Sequence, residues 1–412
     1  MNRLPDEDYL SYSKRLIEAK KNGLISYQEL ADGLLLDENV YSDDNIRKFY
    51  YIYEKMIKYL GNIETSDADE QIRAYEKIKE DIIKERKKLQ TVNLEYNATK
   101  TIEARMELLH EFIGDSIARL KPIKIVPTTH KSEPESTVGL LIVSDAHYGK
   151  TFEIKGLFGE TVNEYSPEIF KARMWKLLSD LENDTAIMNL DKLIVCDCGD
   201  AVEGVLRSTG TLQKLKVGVT DSAMEYGEFM AVWLAEVYNR LGIPVEYSLT
   251  GGNHDLLRLL SSKKDFDEEN IAKIILKEIS LRIKISSLEA ELKYGIKPEI
   301  LINEYTDVSY QNVFGINILA YHGESKDLKD DIEFFENFYN IDVDILITGH
   351  LHRSSQETIG IGYMGDREII RVPSLIGMDD FSKKIRKLSR AGSRFMTFTE
   401  NGKQWEKTFF LN

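Results

Sequence analysis

The chain has 412 residues, 42% hydrophobic and 30% charged, with 8 prolines and 26 glycines, which excludes disordered, collagen-like and low-complexity proteins. At roughly 100–200 residues per domain, two or three domains can each bury a core. Acidic side chains outnumber basic ones 69 to 54, and residues 1–135 hold 22 basic against 26 acidic, so neither part is a basic sponge for nucleic-acid phosphates.

The first residues, MNRLPDEDYL, are acidic and lack a signal-peptide core, and no stretch approaches 18 apolar residues. The expectation is a cytoplasmic protein with no membrane partner, in a bacterial or phage-infected cell. Residues 1–62 read as a small helical domain: Tyr9, Tyr12, Leu16 and Ile17 share a helix that Gly23 stops. Ser26 and Glu29 form a reciprocal capping pair for a second helix, and a third runs from Asn45 to Leu60. The three helices suggest a helix-turn-helix or, equally, a small packing bundle; Asp43 and Asp44 would repel phosphates at the start of a reading helix. Residues 63–120 carry apolar positions at 75, 78, 82, 89, 92 and 96 in steps of three and four, a coiled-coil register that predicts a homodimer. Its charged run KERKKLQ (84–90) reads as a solvated helix face.

Residues 121–136, KPIKIVPTTHKSEPES, read as an extended linker. From 137 to 412 strand-like apolar runs (VGLLIVS, LIVC, VEYSLT, INILAY, DILITG) alternate with helices near 167–187, 220–241 and 267–284. That alternation predicts an α/β layered fold with strands buried on both faces. Cys196 and Cys198, the only cysteines, share one strand face, too close along the chain for an easy disulfide, and a reducing compartment fits them. The C-terminal stretch reads as a hairpin turning at Asn401-Gly402.

Five of the seven histidines directly follow hydrophobic runs of this last segment. The runs end in S-D-A-H (144–147), G-D-A-V-E (199–203), G-N-H-D (252–255), H-G (322–323) and G-H-L-H (349–352). Loops at the carboxyl ends of strands converge in α/β sheets, so Asp145, His147, Asp200, Asn253, His322, His350 and His352 can meet. Oxygen and nitrogen donors without thiolates suit Mn²⁺, Fe or Zn²⁺. Seven ligands exceed one ion's needs but fit two ions sharing a carboxylate, which clamp a phosphoryl group and activate a bridging water for in-line attack.

This ordered set resembles the calcineurin-like metallophosphoesterase superfamily over about residues 138–375. The resemblance implies a four-layer α/β/β/α sandwich behind an all-helical N-terminal arm. It implies that Asp145, His147, Asp200 and His352 hold one ion, Mn²⁺ first, and that Asp200, Asn253, His322 and His350 hold the other. It makes His254 the catalytic acid at the leaving oxygen, oriented by Asp255. Arg207 and Arg258, just beyond the motifs, could grip a substrate phosphate or serve as surface ion pairs. The segment 207–221, with Lys214 and Lys216, could line the substrate approach, and Ser374 could touch substrate.

The arrangement of arm, catalytic domain and β-rich end is similar to phage and prophage proteins described as DNA repair exonuclease-like metallophosphoesterases. It implies a phosphodiesterase, a nuclease with DNA as its partner. The other readings are a phosphatase or cyclic-nucleotide phosphodiesterase, which the acidic charge favours, and a DNA-binding or assembly protein with a non-catalytic metal domain.

Overall fold

The computed structural model describes residues 3–34, 120–129, 136–204, 218–256, 270–325 and 327–412, with positions 50, 51, 53, 55, 84 and 87. The chain divides into two compact units, Met1–Leu108 and Leu109–Asn412. In the first, α1 (Tyr9–Lys21) and α2 (Tyr27–Gly33) bury Tyr12, Leu16, Ile17 and Leu30 together. Gly23, at φ +71°, ends the first helix. Ser26 and Glu29 make the expected reciprocal cap: the Ser26 amide donates to the Glu29 carboxylate at 2.7 Å and the Glu29 amide to the Ser26 hydroxyl at 3.1 Å. Most of the third helix, the coiled-coil register, Arg207, Arg258 and the lysines of 207–221 lie outside the described residues.

In the second unit β1 (Val138–Val143), β4 (Lys192–Asp197), β5 (Val245–Leu249) and β6 (Ile300–Asn303) run parallel. They are completed by the hairpin β12 (Gly392–Thr399) and β13 (Gly402–Phe410), giving the order β13-β12-β1-β4-β5-β6. A second sheet has the order β10-β11-β9-β8-β7, from β7 (Ser309–Val313), β8 (Ile316–Tyr321), β9 (Ile345–Thr348), β10 (Ser355–Gly362) and β11 (Gly365–Arg371). Alternation along β1 shows why the sheets stack. Leu141 and Val143 face α3 (Pro167–Met188), α4 (Val219–Leu241) and α5 (Ile271–Tyr294), whereas Leu140 and Ile142 meet Ile318, Ile345 and Ile347 of the second sheet. The second sheet's outer face packs Leu319, Leu346 and Ile369 on α6 (Leu328–Tyr339). The result is an α/β/β/α sandwich. Both cysteines are free and buried between the sheets.

Three features differ from the sequence reading. The third long helix covers Ile271–Tyr294 rather than 267–284. A hairpin of β2 (Phe152–Lys155) and β3 (Thr161–Tyr165) and a short helix α7 (Asp380–Lys384) join the expected elements. Within the expected linker, residues 121–129 form a strap bound to the sandwich: Ile125 is buried in its core, the Ile123 amide donates to Ser286 Oγ and the Val126 amide to Asn239 Oδ1. Two isoleucines among the prolines supply the apolar anchor that a free linker lacks.

Candidate metal centre

Every motif sits at a strand's carboxyl end, and backbone hydrogen bonds stitch the loops together. The amides of Asp145 and His147 donate to the carbonyls of Gly199 and Asp200, and the Gly349 amide donates to the carbonyl of His322. Asp145, His147, Asp200, His350 and His352 all hold left-handed backbone, with φ from 42° to 64°. Asp and His tolerate this region better than most side chains but still at a cost, which the surrounding bonds offset. Two glycines let the loops close. A Cβ on Gly349 would stand 1.8 Å from Ser144 Oγ, and one on Gly252 would stand 2.2 Å from Asp200 Oδ1.

The structure brings all seven expected ligands together. Asp145, His147 and His352 form one group with mutually close donor atoms, and Asp200, His322 and His350 form another. Asn253 Oδ1 stands 3.2 Å from His322 Nε2. Asp200 reaches both groups, with Oδ2 at 3.6 Å from His147 Nε2 and 3.2 Å from His322 Nε2. Burial disfavours a charge on Asp200, yet the facing histidines win and hold its carboxyl well below the usual range. Burial likewise opposes the imidazolium of His322, but Asp200 raises it to about 10, and Asp145 raises His352 to about 9 against the same penalty.

Divalent ions fit this donor set. The nitrogens His147 Nε2 and His352 Nε2 face each other at 3.2 Å, and two buried carboxylates draw positive charge into a pocket of neutralisable imidazoles. The His147 and Glu203 atoms that approach to 2.7 Å make no aligned hydrogen bond, so the ring is steered more by charge than by direction.

The remaining ring nitrogens are held differently in the two groups. His322 Nδ1 lies 2.8 Å from the carbonyl of Cys198. His147 Nδ1 is 2.7 Å from Glu203 Oε2 and His352 Nδ1 is 3.2 Å from Asp379 Oδ1, while Lys150 Nζ reaches Glu203 at 3.5 Å and Asp379 at 3.1 Å. A single, largely covered ammonium thus balances the two carboxylates. Lys150→Met is expected to weaken binding at the Asp145 group about 10–100-fold and leave the Asp200 group near its original affinity; Mn²⁺ titration followed by electron paramagnetic resonance reads both. Equal weakening at both groups would contradict the assignment.

The geometry corrects two expected roles. The Asp255 carboxylate does not orient His254; it accepts from the amides of Gly252 at 2.9 Å, Val202 at 3.3 Å and Ala201 at 3.4 Å, clasping two ligand loops. Glu203, with Oε1 3.6 Å from His254 Nδ1, is the acid beside that ring. Asp255 follows His254 directly, but its backbone turns the carboxylate inward. Ser374 is fully buried, its hydroxyl donating to the Gly377 carbonyl and accepting from the Gly377 amide, so it staples a turn away from solvent.

Lys150 and Asp379 carried no motif signal. Lys150 trails the first motif by three positions, and the only local mark at Asp379 is its reciprocal cap with Ser382. Phe381 edges the rings of His350 and His352, so the segment that follows Asp379 borders the site.

No protein-family model matches the chain. It is 25% identical to YonJ, an SPbeta prophage-derived protein of Bacillus subtilis strain 168, across 97% of this chain and 95% of that one. Among solved structures it is similar to a dimetal phosphatase from Danio rerio (TM-score 0.32, 11% identity, 68% of this chain and 100% of the other). Others are a Sphaerobacter thermophilus metallophosphoesterase (0.29, 13%, 67% and 89%) and Entamoeba histolytica Vps29 complexed with zinc (0.25, 10%, 66% and 99%).

Proposed function

We propose that this chain is a calcineurin-like, two-metal phosphodiesterase that acts on nucleic acid, most simply DNA, with Mn²⁺ as its ion. The observation that carries the reading is the convergence of seven oxygen and nitrogen donors into two groups with Asp200 between them. Two divalent ions held there supply Lewis-acid polarisation of a phosphoryl group and a water acidic enough to act as nucleophile near neutral pH. Asp145, His147 and His352 would bind one ion, Asn253, His322 and His350 the other, and Asp200 both.

The chain's own contribution is orientation and proton transfer. His254 is partly exposed, its side chain 31% accessible where those of His147, His322 and His352 are nearly buried. Its amide donates to Asp200 Oδ1 at 2.7 Å, which ties the position of this ring to the shared carboxylate. A partly exposed imidazole fixed this way can hand a proton to a departing oxygen. His254→Ala is expected to keep two Mn²⁺ and lose about 10²–10⁴-fold in turnover; metal loss in that variant, or undiminished turnover, contradicts the role.

Hydrolysis of bis(p-nitrophenyl) phosphate beside its monoester tests the reaction class. Monoester-only turnover moves the reading to a phosphatase. A nucleic-acid substrate is supported by the basic run Lys383, Lys384, Arg386, Lys387 and Arg390, which lies in a stretch, 381–392, that contains no acid. The full-length likeness to a prophage protein supports a phage or prophage setting. Among the described residues no helix is long and apolar enough to cross a membrane. Dimerisation through residues 63–120 belongs to the same proposal, and light scattering reads it directly.

A further inference from the structure

We propose that Arg353, Arg371 and Lys387 form a second anion subsite beside the metal centre, which takes a non-scissile phosphate of a phosphodiester strand. The inference rests on the reading of the centre as a phosphodiesterase, and it assigns residues that no sequence motif marked.

Position comes first. Arg353 directly follows His352, and Arg371 ends β11 opposite Thr348, the residue before the G-H-L-H loop. Lys387 lies in the segment that begins at Asp379, which holds His352. Arg353 therefore shares the backbone that presents His350 and His352, and Arg371 and Lys387 lie on segments tied to it.

Their second property is that two guanidinium donors find no hydrogen-bond partner among the described residues, although Asp331 and Glu357 act on Arg371 through space. Arg353 Nε and Arg371 Nη1 are buried there without a hydrogen-bond partner. The carboxylates nearby are already engaged: Glu357 pairs with Lys329 at 2.8 Å, Asp331 accepts from the Tyr321 hydroxyl, and Asp327 caps α6 through the Lys329 amide. Burial, then repulsion from Arg353, pulls the Arg371 guanidinium down from its ordinary value, and Lys387 is lowered by burial and by both arginines. A folded protein that crowds three cations and leaves buried guanidinium donors unpaired is less stable than one that pairs them, unless an anion completes the set.

The space for that anion is present. Arg353 and Arg371 line an open cavity of about 540 Å³ together with Lys329, Ser355, Gln356 and the already engaged carboxylates Asp327 and Glu357. Two guanidiniums offer forked donors suited to phosphate oxygens, and the flanking hydroxyl and amide add neutral donors. The exposed Lys383, Lys384 and Arg386 extend the same charge beyond the cavity. A track longer than one anion fits a strand with repeated phosphates better than a free phosphate ion.

The test uses the full chain in EDTA, with fluorescein-labelled dT12 followed by anisotropy across a salt series. The double variant Arg353→Gln, Arg371→Gln is expected to bind about tenfold or more weakly, with a log–log salt slope shallower by about 0.7, the value for one phosphate no longer neutralised. Mn²⁺ titration and a thermal melt of the variant report whether the His352 loop stays intact. Absence of dT12 binding by the parent chain, or unchanged affinity in the variant, overturns the subsite. Joint loss of dT12 and Mn²⁺ binding also overturns it, since the arginines would then be supporting the loop. Inorganic phosphate distinguishes a free-anion site: if phosphate raises the melting temperature of the parent and not the variant while dT12 binds both equally, the strand assignment is wrong. The phosphodiesterase reading fails separately, when the parent chain binds no Mn²⁺ or leaves bis(p-nitrophenyl) phosphate intact.

Discussion

Asp200→Asn is expected to lower Mn²⁺-dependent hydrolysis of bis(p-nitrophenyl) phosphate by on the order of a thousandfold or more. Asparagine keeps the shape of the side chain and an oxygen that can accept the His254 amide, so the loop's main anchor survives. What disappears is the negative charge that faces His147 at 3.6 Å and His322 at 3.2 Å. Because Asp200 is the carboxylate that reaches both donor groups, its loss should reduce the Mn²⁺ stoichiometry below two while a thermal melt stays cooperative. Parent-level turnover in this variant would remove the shared-carboxylate assignment, and a chain that no longer folds would show that charge balance at Asp200 is structural.

Replacing Glu278 by Gln should stabilise the protein at pH 9 and change little at pH 5. Glu278 lies on α5 against Gly227 of α4, 2% exposed, with Oε2 buried and without a hydrogen-bond partner among the described residues. The neighbouring guanidinium, Arg282, is engaged by Glu228 at 2.6 and 2.8 Å. Burial, then the Glu228 charge, pushes the Glu278 carboxyl from 4.5 up to about 8. Between those values the folded chain holds a proton that the unfolded chain has released, so stability falls as pH rises. The full penalty at pH 9 is about 5 kcal/mol at 1.36 kcal/mol per pK unit, and glutamine, which never ionises, escapes it. Urea unfolding at the two pH values measures the difference; equal gains at both, or none at pH 9, would show that Glu278 is ionised and satisfied in the fold.

The loops that carry the candidate ligands were legible in the sequence because each begins where a buried strand ends, and unbroken apolar runs are conspicuous. The final hairpin was legible for a similar reason, its turn residues standing between two strand patterns. The edge of the second sheet was not: SQETIGIG and GDREIIR become strands β10 and β11 through pairing with each other and of β11 with β9, not through local pattern. The extra turns of α5 present Leu288 and Leu292 to solvent, which blurs the apolar stripe that would have marked its end. Asp379 lies 27 positions beyond His352, and only the closed fold brings the two together. Asp255 misled because adjacency in sequence says nothing about direction when the backbone between two residues turns.

The pairing of β12 with β1 also bears on how the first sheet is completed during synthesis. β1, which delivers Asp145 and His147, is flanked on one side by a strand made about 250 residues later, Ile142 lying opposite Arg394. A ribosome emits Asp145 and His147 long before it emits the strand that completes their sheet. A nascent chain would therefore carry all seven donors and still lack a finished framework to hold them.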